Sequence, residues 1–187
     1  MDALKGFKTV AALAIFMVAL QVFNAATGYS LLAFGLVPRT LHGLTGIIAS
    51  PFLHASFAHL GANLIAFLIL GSLVIVEGLH RFIVVSAIVI LLGGGLVWLF
   101  GFSGAHIGAS GWVFGLWAYI LSRAWFQRSW GNLITASVVA LLYGGLIFGF
   151  LPRQGISFEG HIFGALAGFI AAKVLFSAPR SRLNAAR

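Results

Sequence analysis

Long apolar stretches alternate with short polar interruptions along the whole 187-residue chain. Runs of spanning length are read at 8–28, 58–76, 82–100, 110–127, 132–150 and 160–177. Each is long enough to cross the roughly 30 Å hydrocarbon core of a bilayer as a helix. Turn-forming residues mark the breaks: Pro38-Arg39 and Pro51, then Gly78-Leu79-His80-Arg81, then Gly101-Phe102-Ser103-Gly104. Arg128-Ser129-Trp130-Gly131 and Pro152-Arg153-Gln154-Gly155 close the series. Lys5 and Lys8 precede the first run as in a signal peptide, but the run is long and no small-x-small cleavage site follows, so it is read as a helix. The pattern predicts an all-α membrane protein of six transmembrane helices, one domain over residues 1–187.

Composition strengthens this picture. Hydrophobic residues make up 61% of the chain and charged residues only 7%, against about a quarter charged in soluble domains. Such a chain cannot cover itself in water, and the lipid bilayer is its expected partner. The net charge of +8 does not point to nucleic acid, because the basic residues stand singly between apolar runs rather than in a patch. With no cysteine, disulfides and thiolate sites are excluded. The histidine spacing also argues against a metal: His54 and His59 are five apart, Glu159 is the lone nearby carboxylate, and no His-Glu-x-x-His occurs.

The scattered charges set an orientation instead. With the N-terminus in the cytoplasm, Lys5, Lys8, Arg81, Arg123, Arg128, Lys173, Arg180, Arg182 and Arg187 fall on the cytoplasmic side, and only Arg39 and Arg153 outside. Both termini are then inside. The second, fourth and sixth helices all begin at the outer face, so their opening turns share one depth.

Polar residues gather at those openings. The second helix opens with His54-Ala-Ser-Phe-Ala-His59-Leu-Gly-Ala-Asn63, the fourth with His106-Ile-Gly108-Ala109-Ser110-Gly111, and the sixth with Glu159-Gly160-His161-Ile-Phe-Gly164. Polar groups inside a bilayer are costly, hence paired or functional. Each alone has a plain reading: Ser110 as a helix cap, His161 as a structural hydrogen bonder, and His59 with Asn63 as a bridge between helices. Together they favour chemistry. Gly160, Gly164 and Gly168 form a flat stripe on the sixth helix, and Gly111 and Gly115 form another on the fourth, which lets the two backbones bring Ser110 to His161.

These residues resemble the rhomboid intramembrane serine proteases. Three signatures occur in order: His59-x-x-x-Asn63, Gly108-x-Ser110-Gly111, and Gly160-His161-x-x-Gly164-x-x-x-Gly168. The resemblance covers the second to sixth helices closely and the first only in general character, and its short loops match the compact six-helix bacterial form. It implies a rhomboid helical bundle with an outward-facing wet cavity and a dyad of nucleophile Ser110 and general base His161. His59, Asn63 and the Ser110 backbone N–H would make the oxyanion site, with His54 a structural histidine. No cofactor is implied. Two departures stand out. Leu44-Thr45-Gly46-Ile47 occupies the first loop where some members carry a Trp-Arg pair, and Phe114 replaces a common tyrosine. Phe114 can still stack on His161, without a hydroxyl to offer.

The expected activity is therefore serine endopeptidase cleavage of transmembrane segments of other proteins, in a bacterial plasma membrane and near its outer face. Segments weakened by Gly or Pro suit local unwinding, and the resemblance adds small residues at the cut. A catalytically inactive membrane-client binding relative and a small transporter subunit are the alternatives. Loss of Ser110 or His161 would mark the first; buried ionisable residues or inverted repeats would mark the second. Substrate identity and oligomeric state leave no trace in the sequence.

Overall fold

The computed structural model describes residues 2–153 and 155–176. Gln154 of the fifth break, residue 177 of the sixth expected span, and Arg180, Arg182 and Arg187 of the charge pattern lie outside the described residues. The chain begins with α1 (Asp2–Ala26). The long connection after it contains a 3₁₀ turn at Ser30–Phe34, the short helix α2 (Gly43–Ala49) and a second 3₁₀ turn at Ser50–Phe52. There follow α3 (Phe57–Ile75), α4 (Leu79–Ile88), α5 (Gly94–Phe100), α6 (Ser110–Phe126), α7 (Trp130–Tyr143) and α8 (Phe158–Phe176). One π turn, Val89–Gly93, joins α4 to α5 without a break, so that the pair makes one long helix. At the other end of α7 the helix tightens into a 3₁₀ segment, Gly144–Phe150.

Among the described residues, five helices are long and apolar enough to cross a membrane: Leu4–Ala26, Phe57–Ile75, Leu79–Phe100, Trp130–Phe150 and Phe158–Phe176. The fourth expected span differs. Its helix, α6, has 17 residues, about 25 Å of rise, short of the hydrocarbon thickness. The opening of the fourth helix also differs from expectation, because His106 to Ala109 remain loop and the helix starts at Ser110. His54 likewise precedes α3 rather than opening it, since Ser56 caps that helix by accepting the His59 N–H at 3.1 Å.

Lipid-facing and protein-facing surfaces separate as the composition demands. Leu141 and Trp130 are each 84% exposed, whereas Phe67, Leu70, Val85, Leu116 and Tyr119 are completely buried. One buried polar pair crosses between helices in this core: the Trp112 indole N–H donates to Ser86 Oγ at 3.0 Å. The closest helix contact is between α6 and α8. A Cβ on Gly164 would strike the Gly111 carbonyl, and one on Gly168 the Gly115 carbonyl, so hydrogen in place of a side chain is what allows these backbones to touch.

The two ends of the bundle carry different polar ties. At one, Tyr119 donates to Glu77 Oε2 at 2.7 Å, Arg123 pairs with Glu77 and Asn132, and Arg81 lies over the Phe176 ring. At the other, the long first connection is fastened down. Leu36 and His106 exchange backbone hydrogen bonds of 3.0 and 2.8 Å. The Arg39 guanidinium donates to the carbonyls of Leu99 and Gly101, which satisfies groups that the end of α5 would otherwise leave free. Leu44 to Ile47 fall within α2, whose Gly46 sits against the Leu36 backbone.

Candidate active site

The functional side chains converge at the end of the bundle closed by the first connection. His59 and Asn63 occupy successive turns of α3 on one face. The turn before α6 reaches them only because residue 108 is glycine. Its φ of +109° is one that side chains rarely adopt, and a Cβ there would lie 2.7 Å from His59 Nε2 and 3.3 Å from Asn63 Nδ2. That turn is held from two sides. The Gly108 N–H donates to the Ser50 carbonyl at 2.9 Å, and the Ala109 N–H donates to His54 Nε2 at 3.3 Å.

His54 is thus a support for the nucleophile turn. It is fully buried, and burial pushes its pKa from 6.5 down to about 4, with the nearby His59 ring adding to the effect. A neutral ring suits its position, because Nε2 must accept from Ala109.

Ser110 is the first residue of α6, and His161 lies in the first turn of α8. The glycine contact between these helices sets their separation. Ser110 Oγ is 2.9 Å from His161 Nε2, and His161 Nδ1 is 2.8 Å from the Gly149 carbonyl. A carbonyl only accepts, so Nδ1 carries the ring proton and Nε2 is left to receive the Ser110 hydroxyl hydrogen. The Phe114 ring lies parallel to the imidazole, with centroids 4.1 Å apart and planes within 1°. Phe114 is one turn after Ser110 on the same helix, so the stack also ties the His161 ring to the helix that carries Ser110.

The pair opens into a cavity of about 1280 Å³ that His59, Asn63 and Phe114 also line. Asn63 Nδ2 is buried and has no hydrogen-bond partner among the described residues. Such a donor is costly unless something else uses it. Ser110 N–H is among the first amides of α6, which the helix itself cannot satisfy. The arrangement can pass a proton from a hydroxyl to an imidazole beside donors suited to a developing negative oxygen. Among the described residues, no group of three His, Asp or Glu side chains is placed to hold a metal ion.

The model of the Rhomboid domain matches residues 41–178. The chain belongs to the rhomboid family. An uncharacterized protein of Mycobacterium tuberculosis is 37% identical over 190 residues, covering 96% of this chain and 79% of that one. An uncharacterized protein of Mycobacterium leprae is 41% identical over 152 residues, 76% of this chain and 60% of the relative. RHOMBOID-like protein 5 of Arabidopsis thaliana is 33% identical over 144 residues, 72% of this chain and 45% of the plant protein. With the Rhomboid domain and five apolar helices, this rhomboid is an integral membrane protein. The matched segment takes in α2 to α8 and all three signatures, and leaves α1 outside.

Sequence reasoning missed the partner of the His161 ring, Gly149. A main-chain carbonyl has no side-chain signature, and only the fold shows which one faces Nδ1. It gave His106 no role beyond the polar opening of the fourth helix and passed over Ser157; the two form a second hydrogen-bonded pair on the same cavity.

Proposed function

We propose that this rhomboid is an intramembrane serine endopeptidase that cleaves transmembrane segments of other membrane proteins with Ser110 and His161. The observation that carries this reading is the 2.9 Å approach of Ser110 Oγ to His161 Nε2, with the opposite ring nitrogen on the Gly149 carbonyl. Ser110 Oγ attacks the scissile carbonyl carbon as its proton moves to Nε2, forming the Oγ–C bond and placing the electron pair on the carbonyl oxygen. The oxyanion is received by Asn63, His59 and the Ser110 N–H, where one such donor contributes about 3–4 kcal/mol. The C–N bond then breaks, and His161 gives its proton to the leaving amine. Water entering through the cavity attacks the acyl ester with His161 again as base, releasing the carboxylate product and restoring Ser110.

The same reading makes residues 1–187 one six-span domain, with the short α6 counted as a span inside its neighbours. It places the chain in a bacterial plasma membrane with both termini cytoplasmic and the site near the outer face, an orientation that the distribution of basic residues supports. His54 and the glycines at 108, 111, 160, 164 and 168 support the site without reacting. Because the chain has no cysteine, single cysteines at Ser103 and Gln127 can be probed in sealed cells. Only the first should react with an impermeant maleimide; the reverse would invert the topology.

Cleavage of a model single-span substrate in liposomes tests the chemistry. Wild type should cut, while Ser110→Ala and His161→Ala should each lose at least about a hundredfold in rate. Wild-type turnover by Ser110→Ala would refute the mechanism.

A further inference from the structure

Two hydrogen-bonded Ser–His pairs, not one, line the cavity. His106 Nδ1 lies 2.6 Å from Ser157 Oγ, and His106 Nε2 lies 3.0 Å from the Phe102 carbonyl. The wiring repeats that of the dyad: a serine hydroxyl on one ring nitrogen and a main-chain carbonyl on the other. The positions repeat as well. His106 and Ser110 are four residues apart on the nucleophile side, Ser157 and His161 four apart on the base side, and the roles are exchanged. Both bonds span 51 residues of sequence.

We propose that His106 and Ser157 form a latch that positions the dyad, His106 and Ser157 each being a positioning residue for Ser110. This inference rests on the proposed dyad and concerns what holds it in register. His106 is fixed at its backbone by exchange with Leu36, and its ring orientation is fixed by Phe102. Ser157 belongs to the start of α8, where its Oγ also accepts the Gly160 N–H at 3.3 Å. The Ser157–His106 bond therefore ties the turn that delivers Ser110 directly to the helix that delivers His161. A second tie runs beside it: the Phe102 N–H donates to Glu159 Oε1 at 3.0 Å. The glycine contact sets how close α6 and α8 lie. It does not reach residues 101–109, which are not helical; Ser50 and His54 hold the end of that segment toward α3, and the latch ties it to α8. Misplacement of a nucleophile by about 1 Å is enough to cost on the order of a hundredfold.

The test uses the 187-residue chain in phosphatidylethanolamine–phosphatidylglycerol liposomes and a rhodamine fluorophosphonate that phosphonylates the serine with loss of fluoride. Inactivation rate (kinact) and probe affinity (KI) are measured separately. His106→Phe removes the ring nitrogens at similar size. Ser157→Gly removes the hydroxyl and keeps a residue tolerated at a helix N-cap. Each should lower kinact about tenfold with KI unchanged. The double variant should fall no further than the worse single, because both remove one bond. His106→Asn, which can still accept from Ser157, and Ser157→Thr should return to within about threefold of wild type. A folding defect would instead lower the labelled fraction at an unchanged rate. Wild-type kinact in both single variants, including such an unchanged rate, or multiplying losses in the double, would overturn the latch. Ser110→Ala is the separate control: labelling of it at the wild-type rate would strike the dyad reading itself, and the latch with it.

Discussion

Phe114 illustrates how one residue can be both a departure and a working part. Its ring lies flat on the His161 imidazole, so the contact needs an aromatic face and not the hydroxyl that a tyrosine would add. Aromatic stacking contributes about 0.5–1.5 kcal/mol beyond burial, which corresponds to roughly two- to tenfold if it serves to hold the base. Phe114→Leu should therefore lower kcat by about that factor, with KM nearly constant, and Phe114→Tyr should match wild type. Equal loss in both variants would show that the stack is not what matters. At this scale the sequence was informative wherever a side chain announced itself. Ser110, His161, His59 and Asn63 stand out as polar residues in apolar surroundings, and all four border one cavity. Gly149 does not stand out, because its contribution is a carbonyl common to every residue.

Among the elements, α6 and α8 carry the site, and their contact was readable from glycine spacing. The four-residue repeat of Gly160, Gly164 and Gly168 requires a partner backbone, which Gly111 and Gly115 supply. Gly168→Val would drive a branched side chain into the Gly115 carbonyl. Overpacking of this kind costs about 1–3 kcal/mol, so the melting temperature and the cleavage rate should drop together. Gly95→Ala is the matched control, since nothing lies within 4 Å of an added Cβ there; it should leave both unchanged. Less legible were the departures from α-helix. The first connection, α2 with its two flanking 3₁₀ turns, reads in sequence only as a gap between spans. The π turn at Val89–Gly93 and the 3₁₀ end of α7 keep the same apolar composition as the helix around them. Hydropathy sees an uninterrupted span in both cases, because it registers solvent and not hydrogen-bond register.

The whole molecule should respond to pH through the burial of its polar end. His54 is folded with a pKa of about 4 against an ordinary 6.5. The unfolded chain therefore binds the extra proton first as pH falls, and stability is lost between about pH 6.5 and 4. Above that window the contribution is fully present. Thermal unfolding in detergent should show the loss, and His54→Gln, which can still accept from Ala109 but does not titrate, should show a shallower one. An identical slope in that variant would remove His54 as the cause. Activity should fall at acidic pH for a different reason, since a protonated His161 cannot accept from Ser110.

The Gly149 carbonyl that orients His161 does not come from a core helix. It comes from the 3₁₀ end of α7, and the Trp130–Phe150 helix is the least buried of the five apolar ones. The His161 ring is thus oriented by the least enclosed of these helices. Any outward swing of Gly144–Phe150 would strip the proton-bearing nitrogen of its acceptor and free the ring to turn or change tautomer. Displacement of that segment and an oriented His161 ring are then mutually exclusive.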